Sequence, residues 1–369
     1  MVTFPKTTTL EVELTSKCTL ACPKCPRVTR VSERHIWDNG HIDADRLMQV
    51  LDTPDYDVVF AGSYGDGVYH PRLVEVLSHL KENGIHHTFE TNGSYVKDSV
   101  WHGIGQNVGP TDTIVFSIDG TPDNFMQYRV NGHWPTIRRG MEILKEYNIR
   151  TRWKYIVFKY NSSYEDMKTA YDLACELGIK QFQLVHTKRT VEGQYVEIAD
   201  FQDNLSMLEE YYSELVHKGE THIPRLRIQI HPRTRKVKEM DKIAKVVQKR
   251  SKEIDINNID KQFVTRQAGA TAVEITQVKE KYVTEHVDPQ CINVDKFAHF
   301  IGSDGMFYPC CYTRTQKGEL IRDLELTEED VASMSIANNS IAEIKQGSGY
   351  KKLLEGFDKL STCKLHCGK

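Results

Sequence analysis

Long apolar runs are missing from this 369-residue chain. No stretch approaches the ~18 consecutive apolar residues that a membrane-spanning helix needs, and residues 1–17 hold no apolar core of the kind a secretory leader uses. The expectation is a cytoplasmic protein with no membrane partner. Internal repeats and low-complexity tracts are also absent, while 12 prolines, 23 glycines and 39% apolar residues are ordinary globular usage, which excludes collagen-like and disordered classes. Net charge is small: 48 Lys and Arg against 51 Asp and Glu leave a formal −3, too little to call for a polyanionic partner of the whole molecule. No Walker motif and no His-Glu-x-x-His occur. A dinucleotide-binding reading has only Gly103-Ile-Gly105-Gln-Asn-Val-Gly109, whose last spacing is wrong and which follows no first strand.

Cysteine is present in an odd number, nine, which argues against a disulfide framework and for reduced thiols in metal or redox chemistry. Their placement is uneven. Cys18, Cys22 and Cys25 stand near the start; Cys291, Cys310, Cys311, Cys363 and Cys367 fill the last fifth; Cys175 alone lies between, on the apolar stripe of a predicted helix.

From Thr9 to about His217, short β-branched or aromatic runs alternate with helical-period stretches, the pattern of βα units around a parallel sheet. Six strands are predicted: Leu10–Thr15, Asp57–Gly62, Ile85–Thr91, Thr113–Ile118, Arg152–Lys159 and Gln181–Thr187. The clearest helix places Leu73, Val76, Leu77 and Leu80 on one face and ends at Gly84; another runs from Ser163 to Gly178. Weaker stripes fit Ala44–Leu51, Thr136–Tyr147 and Asp203–His217. The fold class is thus α/β: a partial (βα)6 TIM-like barrel over residues 1–217, with ligands expected at the C-terminal strand ends. Residues 218–288 form a charged bridge, with a helix predicted over Arg235–Lys252. Residues 289–369 form a small C-terminal unit containing a hairpin, Ala298–Tyr312, that turns at Ser303-Asp304-Gly305, and a helix near Gly349–Leu360. Between Arg225 and Lys252, 11 basic residues face only Glu239 and Asp241, so that segment is +9.

Three thiolates on one loop after the first strand is an informative number. A closed structural zinc site wants four ligands, whereas a [4Fe–4S] cube on three cysteines leaves one iron open. Cys18-Thr-Leu-Ala-Cys22-Pro-Lys-Cys25, in that position, resembles the radical S-adenosylmethionine (radical SAM) superfamily. The resemblance implies a cluster whose open iron binds S-adenosylmethionine, reductive cleavage of the sulfonium to a 5′-deoxyadenosyl radical, and hydrogen abstraction from a substrate. It implies cofactor contacts at Gly65, Asp66 and Gly67, where the family often has Gly-Gly-Glu-Pro; at Thr91 and Asn92; at Ser117, Asp119 and Arg129, the last a guanidinium fork suited to a carboxylate; and near Val185 for adenine. It further implies an electron donor such as a flavodoxin or ferredoxin. A zinc knuckle borrowing His35 or His41 is the alternative at the first cysteine group.

Cys291-x13-Gly305-x4-Cys310 resembles the opening of the SPASM and twitch extensions of the same superfamily, which implies an auxiliary [4Fe–4S] cluster on Cys291, Cys310, Cys363 and Cys367. Cys311 should face away if the pair lies in a strand, and zinc is the competing metal here. Lys154, Tyr155 and His186 are candidate catalytic groups near later strand ends; Lys188 shares that position. The substrate is expected to be a peptide or small molecule. A nucleotide or nucleic acid is the alternative through the basic segment, where binding would weaken steeply with salt, although no aromatics interleave there to stack bases. From another class, a non-catalytic zinc-stabilised binding protein would use both cysteine groups; it would be colourless, whereas iron–sulfur protein is brown.

Overall fold

The computed structural model describes residues 8–29, 40–52, 56–186, 196, 198–230, 273–275, 299–357, 359–360 and 363. The described strands in chain order are β1 Thr8–Val12, β2 Tyr56–Phe60, β3 His87–Thr91, β4 Thr113–Ser117, β5 Thr151–Val157, β6 Gln181–His186, β7 Arg225–Ile230, β8 Val273–Ile275, β9 His299–Ile301 and β10 Phe307–Tyr308. The chain divides into two compact units, one of residues 1–115, 135–150 and 282–369, the other of 116–134 and 151–281.

In the first unit β1 pairs parallel with β2, and β2 with β3. β9 lies parallel along the other side of β1, and β10 closes a hairpin on β9. The turn of that hairpin falls where the sequence places it: Gly305 has φ +72°, a left-handed conformation that glycine adopts without strain, and its N–H donates to Gly302 O (2.9 Å). The helix Leu73–Glu82 buries Leu73, Val76, Leu77 and Leu80 completely, and Gly84 follows with φ +66°. Each residue of that stripe contributes roughly 1.5–3 kcal/mol by leaving water.

A helix that the sequence analysis did not foresee spans Asp98–Asn107. It absorbs the glycine pattern considered for a dinucleotide loop. A Cβ at Gly103 would meet Val74 at 2.5 Å and one at Gly105 would collide with the Tyr147 ring, so these glycines permit helix packing and do not cradle a phosphate.

In the second unit β5, β6, β7 and β8 run parallel in unbroken register. β5 alternates: Trp153 and Tyr155 are buried against Phe182 by ring contacts at 5.8 Å, while Arg152 and Lys154 occupy the opposite, half-exposed face. β7 lies inside the stretch assigned to the bridge. Its Arg-Leu-Arg-Ile-Gln-Ile sequence alternates strictly, with Leu226 and Ile228 buried, so the βα series continues past His217. The predicted helix Arg235–Lys252 lies outside the described residues.

Candidate functional site

β1 hands its chain directly to the cysteine loop. Cys25 N–H donates to Cys22 O (3.0 Å), and Pro26 opens the short helix Pro26–Thr29, whose first turn suits a residue with no N–H. Arg27 donates from its guanidinium to Leu20 O and so ties the helix back to the loop. Cys18 Sγ accepts from Leu20 N–H (3.4 Å) and from Asn92 Nδ2 (3.3 Å); Cys25 Sγ donates to Ser63 O at 3.9 Å. None of the three is in a disulfide, and Cys22 is buried. Burial, and then the Asp66 carboxylate, pushes the Cys18 thiol up to about 12, so metal binding there must displace a proton.

The donor set suits iron and sulfide. Soft thiolates favour such clusters, and a cube takes one thiolate at each of three irons, so its ligands need not converge on a point. Among the described residues no three His, Cys, Asp or Glu side chains converge as a single ion requires. His41, a proposed fourth zinc ligand, instead meets the His70 ring edge-on at 5.3 Å; His35 lies outside the described residues.

Asp66 is the hub of the neighbouring loop. Only 5% exposed, it accepts from Val68 N–H (3.2 Å) at one oxygen and from Thr91 Oγ1 (3.1 Å) and Asn92 N–H (2.6 Å) at the other. Its own N–H donates to Lys17 O (2.9 Å). The loop after β2, the end of β3 and the residue before Cys18 thus meet at one residue, Asp66. Gly65 and Gly67 serve this packing: a Cβ on Gly65 would collide with Thr15 O, and one on Gly67 would meet the Phe89 ring at 2.8 Å. Sequence reasoning missed a hydroxyl group of three beside Cys18, in which Thr19 Oγ1 lies 2.8 Å from Tyr69 OH and 3.1 Å from Ser94 Oγ. Its only sequence signal is that Ser94 follows the Thr91-Asn92-Gly93 turn.

The second unit holds the remaining predicted contacts. Asp119, fully buried, accepts from Arg129 Nε (2.7 Å) and from Ile156 N–H (2.8 Å), and its carbonyl accepts from Tyr160 OH and Asn161 Nδ2. Arg129 also lies over the Tyr128 ring. Asp119 therefore orients the guanidinium. Ser117 ends β4 and Val185 lies in β6, both half-buried. Of the catalytic candidates, Lys154 is half-exposed. His186 is buried, stacked on Phe201, with Nε2 2.6 Å from Val196 O. Tyr155 belongs to the core: it is wholly buried and donates to Asn161 O (2.7 Å), and burial raises its hydroxyl far above the ordinary tyrosine value. Lys188 lies outside the described residues.

In the C-terminal group Cys310 and Cys363 are both buried and neither is in a disulfide; Cys291 and Cys367 lie outside the described residues. The strand argument for Cys311 does not apply, because β10 ends at Tyr308. Cys310 precedes the helix Cys311–Arg314 and Cys311 begins it, half-exposed.

A parallel α/β fold with a three-cysteine loop after the first strand, and a buried cysteine just past a C-terminal hairpin, fits an iron–sulfur protein of the S-adenosylmethionine-dependent class. Residues 12–180 match the radical SAM superfamily and residues 291–368 match the SPASM iron–sulfur cluster-binding domain. Residues 12–180 are thus a radical SAM domain and residues 291–368 a SPASM-type extension. The first domain is of a kind that holds a [4Fe–4S] cluster with S-adenosylmethionine, and the second of a kind that holds auxiliary iron–sulfur clusters.

Among solved structures, Streptococcus suis SuiB bound to S-adenosylmethionine is 16% identical at a TM-score of 0.52, covering 84% of this chain and 61% of SuiB. The protein anSMEcpe with bound AdoMet is 14% identical at 0.53, covering 98% and 89%. These likenesses show the fold, a partial TIM-like barrel. A tungsten-containing aldehyde ferredoxin oxidoreductase cofactor-modifying protein of Pyrococcus furiosus is 28% identical over 119 residues, 31% of each chain. This chain thus spans about a third of that curated relative and under two thirds of SuiB. Among the described residues no helix is long and apolar enough to cross a membrane.

Proposed function

We propose that this chain is a cytoplasmic radical SAM enzyme that modifies a peptide, with a small molecule as the second substrate class. The observation that carries the reading is the packing of the Cys18–Cys25 loop on the Asp66–Thr91–Asn92 hub, which joins three thiols to a pre-formed polar wall. Cys18, Cys22 and Cys25 would hold the cluster, and Cys291, Cys310, Cys363 and Cys367 would hold an auxiliary one. With S-adenosylmethionine bound, the cluster would supply the one-electron reduction that splits the sulfonium into methionine and a 5′-deoxyadenosyl radical. The protein's part is to bind, aim and exclude water. Arg129, oriented by Asp119, binds the methionine carboxylate as a fork. Asp66 holds the wall against which the amino group sits, so backbone carbonyls of Gly65 and Gly67 accept from the ammonium while the Asp66 carboxylate tunes it at short range. Ser117 and Val185 line the ribose and adenine ends. A flavodoxin or ferredoxin delivers the electron.

The peptide class is supported by similar proteins whose structures hold peptides, SuiB with precursor peptide SuiA and anSMEcpe with Cp18Cys. The cofactor-modifying relative supports the small-molecule class. The test is anaerobic incubation with S-adenosylmethionine and dithionite, using peptides, small molecules, nucleotides and nucleic acids as candidate substrates. Substrate-dependent 5′-deoxyadenosine is expected, rising most with a peptide; Cys22→Ala abolishes it, and Cys363→Ala spares some uncoupled cleavage. Normal turnover by Cys22→Ala contradicts the proposal.

A further inference from the structure

A buried charge cluster to which the proposed chemistry assigns no part joins the residue after β1 to the helix that follows Cys310. Glu13, the residue after β1, and Arg314, which ends the helix following Cys310, are both 0% exposed. Arg314 Nε is 3.4 Å from Glu13 Oε2, and Nη1 is 3.7 Å from Asp304 Oδ2. The guanidinium is held between the Tyr64 and Tyr308 rings, at 5.0 and 5.7 Å. Glycine at 302 is part of the same fit, since a Cβ there would meet Arg314 Nε at 2.5 Å. The other oxygen of Glu13, Oε1, accepts from Tyr64 N–H at 2.6 Å, and Ser303 Oγ donates to Oε2 at 3.0 Å.

Ionised groups in such a place are costly. An apolar pair of similar volume often fills a buried site with equal or greater stability, whereas removing one member of a buried pair leaves an uncompensated charge. Arg314 lies in the C-terminal extension and Tyr64 in the loop that carries Gly65 and Asp66. Glu13 connects them, five residues ahead of Cys18. A carboxylate accepts a backbone N–H most strongly when ionised, and the Arg314 guanidinium stands 3.4 Å from Glu13 Oε2.

We infer that Glu13 and Arg314 are a positioning pair through which the C-terminal extension fixes the 61–69 loop against the N-terminal cysteine loop, and so sets S-adenosylmethionine affinity. The inference rests on the proposed function for the identity of the ligand, and not for the mechanical link. Two measurements on anaerobic holoprotein separate the two. The first is amide hydrogen exchange over residues 61–69. Arg314→Met is expected to raise exchange there at least tenfold, although the substitution lies in the other domain; unchanged exchange overturns the link.

The second is S-adenosylmethionine affinity, read from the change it makes in the electron paramagnetic resonance spectrum of the reduced N-terminal cluster. Glu13→Gln and Arg314→Met are each expected to weaken binding at least tenfold with iron and sulfide content retained. The double variant, which leaves no unpaired charge between these two positions, returns to within about threefold of the parent, and Arg314→Lys falls between. Single variants that bind within twofold of the parent, or a double variant as weak as the product of the singles, overturn the inference. Should Arg314→Met fail to fold, Glu13→Gln and Arg314→Lys carry the same tests. A parent protein that binds no S-adenosylmethionine refutes the proposed function and leaves the exchange measurement to decide the link.

Discussion

Replacing Asp66 by Asn tests the hub most sharply, because the exchange keeps shape and removes charge and one acceptor. The native carboxylate accepts three hydrogen bonds, from Val68 N–H, Thr91 Oγ1 and Asn92 N–H, in a site only 5% exposed. An asparagine oxygen turned toward Thr91 and Asn92 keeps two of them, now without charge assistance, and presents its NH2 to the Val68 N–H. A hydrogen bond to a charged group contributes ~1.5–3 kcal/mol and a buried donor left unsatisfied costs ~1–3 kcal/mol, so a combined loss of roughly 2–4 kcal/mol is expected once partial relaxation is allowed. The loop after β2 should feel it first. Chemical denaturation and amide exchange of anaerobic holoprotein measure the loss, and S-adenosylmethionine titration should show affinity reduced about tenfold or more. Asp66→Glu is a useful companion, since it keeps the charge but inserts a methylene into a packed site, at a cost of ~1–3 kcal/mol. If Asp66→Asn unfolds within 0.5 kcal/mol of the parent, a surface-like response of about that size, the hub does not hold the loop and the argument fails.

Four further outcomes are expected. Arg129→Lys keeps the charge but loses the fork that Asp119 orients, and S-adenosylmethionine affinity should fall about tenfold or more in a binding titration, since such sites do not tolerate the exchange. Tyr155→Phe removes a buried hydroxyl that donates to Asn161 O, so denaturation should show a loss of about 1 kcal/mol with turnover within twofold; a hundredfold drop in turnover would restore Tyr155 as a catalytic group. Gly105→Ala should destabilise by ~1–3 kcal/mol through collision with Tyr147, with no change in S-adenosylmethionine binding, and a neutral result would mean the two helices are not in contact there. Burial holds the imidazoles of His87, His70 and His41 below their ordinary 6.5, so the unfolded chain takes up protons before the folded one. Their contribution is therefore whole above pH 6.5 and is lost as pH falls below it; unfolding midpoints at pH 7.5 and 5.5 should differ in that direction, and His87→Phe should reduce the slope.

What was legible in the sequence follows from how far apart the determining residues stand. The thiol triplet, the Leu73–Leu80 stripe and the Gly305 turn each depend on neighbours within a few positions, and spacing alone exposes them. Two local features were hidden by a stronger competing signal. In β7, Arg225 and Arg227 read as the start of a basic run, yet they occupy one face of a strand whose other face buries Leu226 and Ile228. In the helix Asp98–Asn107, Gly103 and Gly105 lower helix propensity and imitate a nucleotide loop, while their true partners are Val74, in the helix Leu73–Glu82, and Tyr147, just past the end of the helix Trp134–Glu146.

The Glu13–Arg314 pair had no local signature at all. Glu13 reads as one more polar residue in an alternating strand, and Arg314 as a basic residue after two cysteines. What unites them is β9, which lies parallel along β1 with His299 opposite Leu10 and Ile301 opposite Val12, and so carries the 302–305 turn to the mouth of the cysteine loop. A strand contributed from the end of the chain thereby covers an edge of β1 that would otherwise be open to pairing. It also places a cation beside the carboxylate that accepts from Tyr64 N–H in the loop after β2. Chemistry that needs residues at fixed spacing leaves a mark in sequence. Chemistry that needs two distant segments to share one strand edge leaves its mark only in topology, and for this chain that topology joins the SPASM-type extension to β1 itself.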